Sequence, residues 1–264
     1  MEKEIIIGVF QRNEKGYGFV VPENQSKEND VFIEPRNIKG ALNEDIVEVE
    51  ILKETPKSRE GKIIRIVRRG KTELVGTFTK SRNFGFVIPD DKKFGTDIYI
   101  PKSKFGKARN NHKVIVKITK YPEKGSNAEG EIIEVIGGVN EAGVDMVSLI
   151  KEYKLPSTFP DNVIEEAQKY GTEIDLADLN NRKDLRKMEI FTIDGEDAKD
   201  LDDAVNVSKN KEGNYILNVH IADVSFYVKD RSKLDREARI RGTSIYMLDR
   251  VIPMLPRELS NRFV

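Results

Sequence analysis

Cysteine is absent from the 264 residues, and histidine occurs only at His112 and His220. The first absence excludes disulfides and thiolate metal centres, and the second leaves no histidine cluster for zinc. Any metal held by this chain is therefore expected on oxygen ligands. No apolar run approaches the ~20 residues that a spanning helix requires, so no membrane association is expected. The opening MEKEIIIGVF carries Glu2 and Glu4 and no cleavage-site pattern. It does not read as a secretory signal, and a cytoplasmic location follows by default. An excess of one charge sign is also missing, since 45 basic and 45 acidic side chains cancel. With 34% charged and 38% hydrophobic residues, the composition is that of folded globular domains, two or three at this length.

The overall neutrality hides a gradient. Residues 1–70 are neutral, with 13 basic and 13 acidic side chains. Residues 71–137 carry +5 (13 and 8) and residues 138–264 carry −5 (19 and 24). The middle segment is the better electrostatic match for a polyanion, and a polyanion lying near the acidic part would need divalent ions in between.

The chain repeats itself. Lys15 to Val20 (KGYGFV) followed by Asp30 to Ile33 (DVFI) returns as Asn83 to Val87 (NFGFV) followed by Asp97 to Ile100 (DIYI). Short β-branched and aromatic runs broken by Gly, Asn, Asp and Pro predict a small antiparallel barrel, twice. Alternation puts Gly18 and Val20 on the core face and Tyr17 and Phe19 on the outer face, with Phe32 outward between Val31 and Ile33. Phe84, Phe86 and Tyr99 repeat that outer set. Exposed aromatics beside basic residues suit single-stranded nucleic acid, because a base can stack on each without a sequence requirement. The competing reading is that these rings belong to the core of an unrelated barrel.

Both copies resemble cold-shock domains of the oligonucleotide-binding (OB) class. Those domains often carry a histidine two residues after the second motif's aromatic, whereas Glu34 and Pro101 stand there in this chain. An acid at Glu34 would repel phosphate, so the first barrel is expected to bind more weakly than the second.

Helical spacing begins after Gly137-Gly138, with Val144, Val147 and Ile150 on one side and Leu155-Pro156 as a stop. A second helix is expected from Asp161 to about Tyr170, ended by Gly171. Strands return from Leu185. Residues 204–208 and 215–222 predict a hairpin turning at Gly213, which would set Asp203 opposite Asp223; the alternative is that Asp223 only caps a strand end.

Most chemistry is concentrated in Thr192 to Val205, TIDGEDAKDLDDAV, where Asp194, Asp200, Asp202 and Asp203 follow an apolar, strand-like approach through Met188, Ile190 and Ile193. Carboxylates gathered this closely repel one another, and a fold that collects them usually holds a cation or a shared proton. Hard oxygen ligands indicate Mg²⁺ or Mn²⁺. An EF-hand counted from Asp194 would need glycine and glutamate where Lys199 and Val205 stand, so that site is excluded. A solvated acidic loop is the competing reading, and the flanking strands and the Gly195 turn weigh against it.

The segment resembles the catalytic signature of the ribonuclease R and ribonuclease II (RNB) family, with aspartates at 0, +6, +8 and +9. LPSTFP (155–160), VHIADVSFYV (219–228) and SKLDREARIRGTSIYMLDRVIPMLPRELSN (232–261) are similar as well, the wording of 219–228 being nearer to ribonuclease R. The order of parts agrees. This resemblance implies a mainly β chain of two OB-fold barrels (1–70 and 71–137), a helical linker (138–184) and the N-terminal part of an α+β RNB catalytic domain (185–264). It implies processive, Mg²⁺-dependent 3′-to-5′ hydrolysis of single-stranded RNA to nucleoside 5′-monophosphates by a two-metal scheme, from a protein that is monomeric at full length. By position, Asp194, Asp200 and Asp203 would be metal ligands, and Asp202 would hold the metal-bound water or a ligand at the scissile phosphate. Tyr246 matches a tyrosine near the 3′-terminal nucleotide. The family's catalytic domain continues far beyond PMLPRELSN, so this chain is expected to be truncated and inactive alone. A different class of function, an RNA-binding module or RNA chaperone without hydrolysis, is the alternative.

Overall fold

The computed structural model describes residues 4–22, 30–55, 58–123, 126–170, 182–195, 201 and 203–260. Five strands, β1 (Ile5–Arg12), β2 (Gly18–Pro22), β3 (Val31–Ile33), β4 (Ile46–Thr55) and β5 (Ser58–Arg68), close into a barrel in the order β1-β2-β3-β5-β4. The equivalent strands β6 (Glu73–Lys80), β7 (Phe84–Pro89), β8 (Ile98–Pro101), β9 (His112–Lys120) and β10 (Ala128–Gly138) close a second barrel with the same connectivity. The all-antiparallel expectation is corrected at one pairing in each. A ring of five strands cannot alternate direction throughout, and β3 runs parallel to β5 and β8 parallel to β10.

The inward-facing alternation fills each barrel with its own core. Phe10, Val20, Val31, Ile33, Val47 and Val49 are fully buried in the first, and Phe78, Val87, Ile98, Ile100, Val114 and Val116 in the second. The motif glycines face these cores. A Cβ on Gly18 would lie 2.4 Å from the Phe10 ring, and one on Gly85 would lie 2.4 Å from the Phe78 ring. Each buried phenylalanine thus occupies the space that any larger residue would need.

Polar contacts join the barrels. Arg12 Nη1 donates to the Phe94 carbonyl (3.1 Å), and Leu42 packs into the second barrel's core. Asp45, fully buried, accepts from the Leu42 and Gly70 amides and from Arg69 Nη1 (2.8 Å). The Arg69 guanidinium also lies 3.8 Å from the Tyr121 ring centroid. Lys71 Nζ stands 2.9 Å from Asp91, 3.2 Å from Glu152 and 3.6 Å from Glu44. Burial opposes the Lys71 charge, but the hydrogen bond to Asp91 and the charges of Glu152 and Asp91 more than offset it, so its proton is held above the ordinary lysine range.

Helix α1 (Val144–Glu152) lays Val144, Ser148 and Ile150 against β10 and β6. The chain divides after Lys154 into two compact units, 1–154 and 155–264, so the segment expected as a linker is shared between them. In the second unit, α2 (Asp161–Gln168) buries Val163 and Ala167. Its expected stop at Gly171 lies outside the described residues. A hairpin of β11 (Asp203–Lys209) and β12 (Tyr215–Ile221) comes next, then α3 (Val224–Tyr227) and α4 (Lys233–Arg241). Two short strands, β13 (Ile245–Tyr246) and β14 (Val251–Ile252), pair before α5 (Arg257–Ser260). Val163, Ala167, Leu234 and Leu259 form this unit's buried cluster, and the Tyr170 hydroxyl donates to the Tyr227 carbonyl (2.5 Å). Among the described residues, no helix is long and apolar enough to cross a membrane.

Candidate nucleic-acid interface and acidic loop

Pairing of β2 with β3 sets Phe19 directly opposite Phe32, and pairing of β7 with β8 sets Phe86 directly opposite Tyr99. Each pair gains a third ring from two residues earlier in its motif. Tyr17, Phe19 and Phe32 lie with ring centroids 5.6–6.1 Å apart; Phe84, Phe86 and Tyr99 lie 5.6–6.0 Å apart. Neither triad belongs to a core. Phe19 is 40% and Phe84 38% exposed, although burying a phenylalanine is ordinarily favourable. The structure therefore brings all six sequence-chosen aromatics together as two outer clusters, three rings on each barrel.

The same registers fix the charges beside each cluster. Opposite ends of β7 and β8 meet at Phe84 and Pro101, which puts exposed Arg82 and Lys102 at one end of the second triad. The corresponding end of the first barrel carries Lys15, Arg36 and the acid Glu34. Arg36 Nε donates to Glu34 Oε2 at 2.6 Å, so part of the expected repulsion is neutralised locally. Some of the middle segment's positive charge is likewise engaged, Lys104 with Glu131 (2.7 Å), Lys113 with Asp90 (2.6 Å) and Lys120 with Glu129 (2.8 Å).

In the second unit, the expected strand through Met188 and Ile190 is reduced to one bridge between Phe191 and Val205. Both of its hydrogen bonds form, Phe191 N to Val205 O at 3.1 Å and Val205 N to Phe191 O at 2.8 Å. Asn206 continues the seam. It is buried, donates to the Glu189 carbonyl (3.0 Å) and accepts from Asn218 Nδ2 (2.9 Å). A polar side chain between Val205 and Val207 is the sequence signal for that clasp, and hydrophobic patterning passes over it.

The bridge closes the base of the acidic loop. Asp194 leaves three residues after Phe191, and Asp203 returns two residues before Val205, at the first position of β11. Both carboxylates are exposed, and neither has an ion-pair or hydrogen-bond partner among the described residues. Asp200 and Asp202 lie outside the described residues. The donor set is thus anionic oxygen on a closed loop with no protein cation against its described members, which is chemistry suited to a hard divalent ion.

The expected placement of Asp203 opposite Asp223 is corrected. The β11–β12 register pairs Asp203 with Ile221, two residues short of Asp223, because the turn centres one residue before Gly213. Asp223 instead accepts from Arg182 (2.7 Å) and Ser225 (3.0 Å), bonds that hold its carboxyl below the usual range, Arg182 having the larger effect. Tyr246 stands on β13 opposite Val251 and is 69% exposed.

Comparison with known proteins matches residues 8–66 to a family described as the ribonuclease B OB domain, 86–160 to the cold shock domain and 182–264 to the RNB domain. Ribonuclease R of Thermotoga maritima is 43% identical over 262 residues, 98% of this chain and 36% of that protein. Ribonuclease R of Escherichia coli is 36% identical over 259 residues, covering 98% and 32% respectively. The chain spans about a third of the length of these relatives. Among solved structures, Mycoplasma genitalium RNase R in complex with ribose-methylated single-stranded RNA superposes with a TM-score of 0.84 at 25% identity, covering 97% of this chain and 41% of that one. Yeast Ssd1, described as a pseudonuclease, shares the fold with a TM-score of 0.64 at 18% identity, covering 97% and 38%.

Proposed function

From the premise that this chain belongs to the ribonuclease R and ribonuclease II (RNB) family, we propose that it supplies the RNA-gripping barrels and the acidic-loop portion of a 3′-to-5′ exoribonuclease. The substrate is single-stranded RNA, hydrolysed processively to nucleoside 5′-monophosphates. The observation that carries this reading is the acidic loop, whose aspartate spacing falls within the matched RNB segment and whose two ends are pinned by the Phe191–Val205 bridge.

The barrels' share is positional. The six clustered aromatics offer π faces for successive bases, and the basic ends of the barrels offset backbone charge. Asp194, Asp200, Asp202 and Asp203 would hold Mg²⁺, on a loop whose base is joined by the Phe191–Val205 bridge. Bound there, Mg²⁺ would supply a more acidic water and a counter-charge for the leaving 3′ oxygen. Tyr246, exposed on its hairpin, would stack on the terminal nucleotide and keep the strand end at the aspartates.

The experiment is to incubate the chain with 5′-labelled single-stranded RNA, with Mg²⁺ or with chelator, following gel retardation and product length. Metal-dependent shortening from the 3′ end would show a working centre in this chain and overturn the expectation that it is inactive alone; in the parent exoribonuclease, Asp202→Asn should abolish shortening while retardation persists. Undiminished turnover in Asp202→Asn would count decisively against the assignment, and retardation of intact RNA alone would restrict this chain to binding.

A further inference from the structure

Arg241 is a charged side chain that is 1% exposed. Burying a guanidinium is costly unless nearly every donor is satisfied, and a hydrophobic residue of similar volume would often serve a core as well or better. The donors here are satisfied by three separate stretches of chain. Nε donates to Glu237 Oε1 at 2.9 Å within α4. Nη1 donates to the Pro156 carbonyl at 2.7 Å and to the Pro253 carbonyl at 3.2 Å, and Nη2 to the Thr158 carbonyl at 2.6 Å. The guanidinium carbon lies 3.5 Å from the centroid of the Phe159 ring.

The position of those stretches gives the arrangement its meaning. The β13–β14 hairpin begins four residues after Arg241 and ends one residue before Pro253. Arg241 therefore holds both stems, one through its own backbone and the other through the Pro253 carbonyl, and it ties both to the strap of residues 156–159. Ser244 Oγ adds a cross-link by accepting from the Met254 amide at 2.9 Å. The hairpin itself has only two residues in each strand, too few to hold an orientation unaided.

We propose that Arg241 is a positioning residue that sets the direction in which Tyr246 is presented to the 3′-terminal nucleotide, an inference that rests on Tyr246 stacking on that nucleotide. A planar fork can address carbonyls on several sides at once, whereas an ammonium at the same place cannot. Arg241→Lys keeps the charge and loses the geometry.

The test uses this chain and short single-stranded RNA carrying 2-aminopurine as its 3′-terminal base, with Ca²⁺ in place of Mg²⁺ so that the strand stays intact. Each variant is measured at a temperature where circular dichroism shows it folded. Stacking on Tyr246 quenches the probe, so the parent chain should lower its emission and Tyr246→Ala should remove that drop. Arg241→Lys should lose most of the drop while an internally placed aminopurine is unaffected. Glu237→Gln, which weakens the ion pair but leaves the three carbonyl bonds, should retain it. A drop that survives Arg241→Lys overturns the proposal, and so does equal loss in Arg241→Lys and Glu237→Gln, which would mark stability alone. If the parent shows no drop, or Tyr246→Ala leaves it intact, the assignment of Tyr246 fails first and the inference with it.

Discussion

Gly18 and Gly85 carry the same constraint in two barrels. Each lies on the core face of its strand with a phenylalanine ring where its Cβ would be, 2.4 Å away. Because the obstacle is a fully buried ring rather than a flexible chain end, Gly85→Ala should destabilise the barrel by about 1–3 kcal/mol, read from chemical unfolding. The neighbouring aromatics face outward and separate stability from binding. Phe84→Ala and Phe86→Ala should each weaken RNA binding by about 1–3 kcal/mol, measured by fluorescence anisotropy, with smaller effects on the unfolding midpoint. Unchanged affinity in both variants would remove the stacking role. Alternating residues thus divide the labour along one short motif, glycine admitting the core ring and phenylalanine facing the solvent.

Lys71 sits where the first barrel's last strand gives way to the second barrel's first, and it gathers Asp91, Glu152 and Glu44. Its raised pKa fixes the sign of the pH dependence. The stabilisation is fully present below the unfolded-state lysine value of about 10.4 and is lost only as pH climbs towards the higher folded value. Lys71→Met should therefore destabilise the barrel unit by about 2 kcal/mol at neutral pH, and the gap should narrow only above about pH 10.4. Unfolding titrations of both proteins across the alkaline range would check this. A gap that closes near neutrality would show that another group controls the hub.

At this scale the sequence was legible wherever one residue's environment depends on its own strand. The 67-residue echo between Phe19 and Phe86 and between Phe32 and Tyr99 holds in the registers, and both expected helices form at Val144 and Asp161. What depends on partners distant in sequence was not legible. The parallel closure of each barrel, the Lys71 hub and the Arg241 clamp all join segments whose mutual proximity leaves no periodic trace. The β11–β12 turn departs from expectation because Gly213 occupies a late, left-handed position (φ 85°) rather than its centre. Local pattern likewise could not show that the segment through Met188 and Ile190 would form one bridge, at Phe191, instead of a strand.

Over the molecule as a whole, two units have separate cores, one built from the paired barrels with α1 and the other from α2, α4 and α5. Residues 1–154 expressed alone should fold and bind single-stranded RNA with an affinity that falls as salt rises, because displaced counterions supply much of the driving force. Circular dichroism and a salt titration of binding are the measurements, and an unfolded product would mean that the barrels depend on residues 155–264 for their stability. The outer stripe Tyr215, Leu217, Val219 and Ile221 on β12 is exposed in the second unit. Apolar area of that kind commonly marks a contact surface.

The Phe191–Val205 bridge also makes a clock. Its two amide protons exchange with solvent only when the base of the acidic loop parts. Any cation that prefers the closed loop must slow exchange at both amides together, by a factor that grows with its concentration over its dissociation constant. The lifetimes of two backbone protons would thus report ion occupancy at carboxylates that need never be observed directly, and would do so whether or not any RNA is cut.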